Sequence, residues 1–156
     1  MKLNYLHKVF ILASIFIFVS TWSCETAKNA NTHNPYGEMQ KLIVNKSGMA
    51  GFELIEITPN QTNKTSQTRG AEQESKITKH SEETWEALNE IIRKIDLNQI
   101  DSWEAPTQER FHDGARAVQI TISMDSQEFN SQSFDEGKPP AELSELYNYL
   151  VSLENQ

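Results

Sequence analysis

Four charged side chains have the types and spacing from which a polar site could be assembled: Glu104, Arg110, Asp113 and Asp135. They flank the clearest strand of the chain, so a sheet hairpin would bring them to its two ends. Arg110 offers the planar fork that grips a carboxylate or sugar hydroxyls. Glu104 with Asp113 or Asp135 would supply the carboxylate pair of a small envelope hydrolase, given a suitable separation. The plainer expectation is that Arg110 pairs with one or more of these acids and pins the 104–115 loop. Asp113-Gly114 is then a turn before the strand. Trp103, Phe111 and Tyr149 are placed by no periodicity and form a candidate surface for a protein partner.

Other chemistries lack their signatures. No G-x-S-x-G or S-x-x-K motif provides a nucleophile, and no G-x-G-x-x-G or G-x-x-x-x-G-K-[ST] loop cradles a nucleotide. His112 stands beside Asp113, but H-E-x-x-H and other clustered ligand spacings are absent, so it reads as an exposed loop histidine. Neither metal nor cofactor is expected. The formal charge is −8, and without residues 1–23 there remain 12 basic and 22 acidic residues, a net −10. That sign opposes nucleic-acid binding and a polybasic membrane surface, both of which need lysine and arginine in excess. One cysteine permits no intramolecular disulfide.

That cysteine has a telling position. Lys2, His7 and Lys8 precede the apolar run Val9 to Val19, which is too short for a spanning helix and reads as a signal-peptide core. Thr21-Trp22-Ser23-Cys24 follows, and resembles the cleavage box of bacterial lipoproteins, in which the cysteine after the cut becomes the lipid-modified N-terminus. Ser23 fits the small residue wanted there, while Thr21 stands where that family prefers leucine. Plain secretion after Thr21-x-Ser23 and a short uncleaved anchor are the competing readings. Lipidation of Cys24 most simply explains a lone cysteine directly behind an export core. The expectation is a signal peptide over 1–23 and a flexible, polar tether over 24–38 with Pro35 and Gly37. A single domain follows over 39–156. No acidic run follows Cys24, so a periplasm-facing outer-membrane site is expected before surface display.

The elements that must position the charged cluster follow from periodicity. Leu42 to Val44 and Phe52 to Ile57 read as strands, the second with apolar residues on both faces. Residues 59–75 have no large apolar side chain, so a mobile hairpin loop is expected, with a return strand over Ser75 to His80. Ser81 is a candidate N-cap for a helix whose Trp85, Leu88, Ile91, Ile92 and Ile95 share one face. Ala117 to Met124 alternates as a strand buried on one side, and Glu128 to Phe134 is its partner, although Phe129 and Phe134 fall on opposite faces. Pro139-Pro140 opens a final amphipathic helix. The expected fold is a two-layer α+β domain, an antiparallel sheet against two helices in the order β-β-α-β-β-α.

The run Glu104-Ala105-Pro106-Thr107, then Arg110, Asp113-Gly114-Ala115 and Phe134-Asp135-x-Gly137-x-Pro139-Pro140, resembles a family of uncharacterised bacterial envelope lipoproteins. The resemblance implies location and architecture, and it implies no activity. The expected role is a membrane-anchored, non-enzymatic binding domain with an envelope protein as partner. The hydrolase above and an inhibitor or immunity-type lipoprotein are the alternatives.

Overall fold

A computed structural model describes residues 35–112, 114–125 and 127–154. Seven strands form one antiparallel sheet: β1 (Met39–Gly48), β2 (Gly51–Ile57), β3 (Gln61–Thr68), β4 (Glu74–Lys79), β5 (Ala117–Met124), β6 (Glu128–Asn130) and β7 (Phe134–Asp135). Their order across the sheet is β4-β3-β2-β1-β5-β6, with β7 also pairing β5. Two helices, α1 (Glu82–Ile92) and α2 (Ser144–Glu154), complete an α+β fold. The element order is four strands, a helix, three strands and a helix, which corrects the expected β-β-α-β-β-α.

The difference arises where the expected partner strand Glu128 to Phe134 is broken into β6 and β7, and at 59–75, expected as a loop and instead mostly strand. β3 pairs β2 from Gly51↔Thr68 to Ile57↔Thr62, and β4 pairs β3 from Gln61↔Lys79 to Ser66↔Glu74. Neither strand carries a large side chain into the core. Ladder hydrogen bonds and polar cross-strand contacts, such as Ser75 Oγ donating to Asn63 Oδ1 at 3.0 Å, hold them. Low hydrophobicity therefore hid a strand that is stabilised by its neighbours. The tight turn into β2 needs Gly51, whose φ is +146° and whose Cβ would collide with the Gln67 carbonyl.

Registers settle the two ambiguous faces. β1 and β2 pair without interruption from Leu42↔Ile57 to Gly48↔Gly51, so β2 has no bulge. Ile55 and Ile57 face the core, whereas Phe52 and Leu54 lie half-buried on the other side. At the far edge, β6 pairs as Ile122↔Phe129, but β7 pairs as Val118↔Phe134, a shift of one residue. That extra residue turns both phenylalanines inward, and each is buried. Ser131 at the break is buried too, and its hydroxyl accepts from the Ile120 N–H at 3.0 Å.

Helix α1 buries Leu88, Ile91 and Ile92, and α2 buries Leu146, Tyr147 and Leu150, against Leu42, Val44, Ile55, Ile57, Val118, Ile120 and Ile122. Ser81 occupies the N-cap position of α1, but its side chain makes no capping bond. Tyr147 stacks edge-on to Phe134 at 5.5 Å, and its hydroxyl accepts from the Gly137 N–H. Every buried strand residue of this core lies on β1, β2, β5, β6 or β7, so the helices cover only part of the sheet.

Amide hydrogen exchange tests the reassignment of 61–68. The β3 amides that pair within the ladder should exchange slowly, because β3 lies between β2 and β4. Exchange as fast as in the exposed connection at residues 72–73 would contradict the strand.

Candidate functional site

The cluster anticipated at the ends of the hairpin is partly assembled. Asp135, in β7, is wholly buried and accepts four bonds. They come from Thr107 Oγ1 at 2.6 Å, Glu109 N at 2.7 Å, Arg110 N at 2.9 Å and Arg110 Nη1 at 3.1 Å. Burial pushes this carboxyl up, but Thr107 and Arg110 outweigh it and hold the group well below the usual carboxylate range. Arg110 Nη1 also donates to the Thr107 carbonyl, and the guanidinium lies 4.4 Å from the Phe111 ring centre. Asp135 thus pins the loop before β5, as the plainer expectation had it. Its acceptor sites are filled and it has no opening to solvent, so a substrate cannot meet it. Asp135, one of the two acids that could have paired with Glu104, is thus committed to the pin.

Glu104 is exposed and takes no part in this pin, while Asp113 lies outside the described residues, as does Cys24. Trp103 and Tyr149 are half-buried against the core, and of the three candidate aromatics only Phe111 is exposed, at 66%. Of the candidate interaction surface, only Phe111 is thus offered largely to solvent. His112 is exposed.

A second charged constellation lies on the core-facing side of the sheet. Lys46 is in phase with Leu42 and Val44 and only 3% exposed. It donates to both oxygens of Glu154, at 2.6 and 2.7 Å, and lies 3.1 Å from its cross-strand neighbour Glu53. Lys64 reaches Glu53 at 2.6 Å, and Arg116 joins Glu53 to Glu136. Burial pulls the Lys46 ammonium down, but Glu154 and then Glu53 more than offset it and hold it above its ordinary value. Burial likewise pushes Glu53 up, while Lys64 and Lys46 bring it below the ordinary carboxylate value. Glu154 sits at the negative end of α2, where an acid is unfavourable alone and the buried ammonium compensates it. The sequence does carry a signal for this group: Lys46 and Glu53 share phase with the apolar residues of their strands.

Beside this network the sheet outruns its helices, and a groove of about 460 Å³ opens over β2, β3 and β4. Its walls differ in character. Val44, Ile55 and Ile57 with Leu150 and Leu153 of α2 form an apolar half. Thr62, Lys64, Lys76 and Thr78 form a polar half, with His80 and Thr84 at the start of α1. Lys64 and Lys76 are direct cross-strand partners on one face, an arrangement that like charges disfavour. Lys64 is neutralised by Glu53, whereas Lys76 has no acid partner among the described residues. His80 Nε2 is buried without a hydrogen-bond partner, while Nδ1 lies 3.2 Å from the Ser81 carbonyl rather than on a hydroxyl. The groove offers contacts for binding, with no base aligned on a nucleophile. Among the described residues no group of three or more His, Cys, Asp or Glu could hold a metal ion. The apolar wall was read from the sequence only as strand and helix core, and the polar wall did not stand out, because β3 itself did not.

No protein-family model, no curated protein and no solved structure matches the chain.

The two buried charges make different predictions. Lys46→Met leaves Glu53 and Glu154 short of a cation and should cost about 3 kcal/mol in denaturant unfolding, with Glu154→Gln in the same chain recovering part of it. No measurable loss would mean that the network is solvated. Asp135 and Glu53 have depressed folded values, so their stabilisation is present above the ordinary carboxylate range and is lost as pH falls below about 4. Asp135→Asn should lower the melting temperature at neutral pH and flatten that acid-side decline, and an unchanged profile would count against the pin.

Proposed function

We propose that this chain is a lipid-anchored, non-enzymatic binding domain of a bacterial cell envelope, attached through Cys24 and binding through the groove over β2–β4. Cys24 directly behind an apolar export core supports the anchoring, and acyl chains there would hold the domain at a membrane. No helix among the described residues is long and apolar enough to cross a membrane. The groove is the observation that carries the binding role. A concave site with an apolar half, a lysine (Lys76) that meets no acid among the described residues and an orphaned buried ring nitrogen is the pattern of a ligand pocket. The filled acceptors of Asp135 favour binding over carboxylate hydrolysis.

The test is a photo-crosslinking residue placed at Thr84 on the groove or at Met49 in the exposed β1–β2 turn, in living bacteria fed an alkyne-tagged fatty acid. The full chain should take up the tag and lose it with Cys24→Ser. Adducts should form from Thr84 and not from Met49. An untagged wild-type chain would contradict the anchor, and equal adducts at both positions would contradict the groove.

A further inference from the structure

Resting on that binding role, we infer that the groove takes a single-chain anionic amphiphile, an acyl chain ending in a carboxylate or phosphate head. The division of its walls carries the inference. Val44, Ile55, Ile57, Leu150 and Leu153 line its apolar side, whereas Thr62, Lys64, Lys76, Thr78 and Lys79 line the adjoining strands, and the one acid in the lining, Glu154, is held by Lys46. A ligand polar throughout would waste the strip, and a neutral hydrocarbon would leave the charged half uncompensated. The volume of about 460 Å³ falls within the range of about 300–1,000 Å³ typical of small-molecule sites.

Charge fixes the sign of the head. The chain has an excess of acids, −8 overall, yet its groove faces Lys64 and Lys76 across adjacent strands. Glu53 satisfies the first and is already shared with Lys46 and Arg116. Lys76, which meets no acid among the described residues, is the cation left for an anionic head. Threonine hydroxyls at Thr62↔Thr78, the next inward-facing pair, stand ready to donate to the same head. The acyl chain would then run over Ile55 and Ile57 towards Leu150 and Leu153.

The experiment uses the lipidated full chain in phospholipid nanodiscs, titrated with carboxyl-labelled octanoate, octyl phosphate or acetate and followed by NMR of the head group and protein. Octanoate or octyl phosphate should bind saturably, and whichever binds tighter identifies the head. Lys76→Glu should weaken binding about tenfold, and so should Leu153→Asn, while Lys94→Glu should not. Lys76 is exposed on an edge strand and Lys94 is paired with Glu145 elsewhere, so neither change threatens the fold. Acetate binding as tightly as octanoate would reduce the site to a plain anion site and overturn the inference. Signals confined to the bilayer, or equal losses for Lys76→Glu and Lys94→Glu, would overturn it as well. Thr84 adducts in cells without octanoate or octyl phosphate binding would sink this ligand class and leave the binding role standing.

Discussion

The width of the sheet relative to its helices is the constraint from which the other features follow. Two helices of eleven residues each can cover only a few strands, and here their buried faces meet side chains from β1, β2 and β5 to β7. β3 and β4 extend the sheet past that cover. Strands in this position cannot be hydrophobic on the inner face without exposing a large apolar patch. Threonine, lysine and serine occupy them instead, and backbone pairing to β2 supplies their stability. β4 ends the sheet with all six residues exposed, and its lysines discourage pairing with another chain's edge. The groove is the boundary between the covered and uncovered parts.

Two buried charges keep that arrangement in register by different means. Asp135 is an acceptor for the backbone of a loop, and its charge is met by one guanidinium and three further donors. Lys46 is a cation among Glu53, Glu136 and Glu154, of which Glu53 also meets Lys64 of β3 and Arg116 just before β5, so it links the end of α2 to the middle of the sheet. Neither site is a strong net stabiliser compared with apolar packing of the same volume. Each penalises the wrong alignment, because displacing one partner strands a buried charge. The Ser131 hydroxyl at the β6–β7 break does the same for a neutral group, by satisfying the Ile120 amide that the shifted register leaves unpaired.

Much of the fold was legible because local pattern and burial coincide. The alternation of β5 and the apolar face of α1 place residues where the structure has them, whereas the last helix begins at Ser144, one 3-10 turn (Ala141–Leu143) after the prolines expected to start it. That Arg110 would pair with a nearby acid and pin its loop was legible as well, but which acid, Asp135, was not. Strand β3 was not legible, because its residues are polar and its pairing is decided by β2 on one side and β4 on the other. The opposed phases of Phe129 and Phe134 signalled an irregularity, but its nature depended on the one-residue register shift. The groove was hidden for the same reason as β3. Its lining comes from four strands and two helices, and no single stretch carries more than part of it.

Lysine reactivity provides the most direct test of a half-covered sheet with a ligand groove at its border. Reductive methylation of the native full chain, read residue by residue with and without a lipid extract of bacterial envelopes, compares three side chains in one experiment. The account predicts that Lys46 resists until the protein unfolds, that Lys76 reacts freely and is protected by the extract, and that Lys94 reacts equally in both. Reaction of Lys46 at the rate of Lys94, or a Lys76 rate that the extract leaves unchanged, would contradict it.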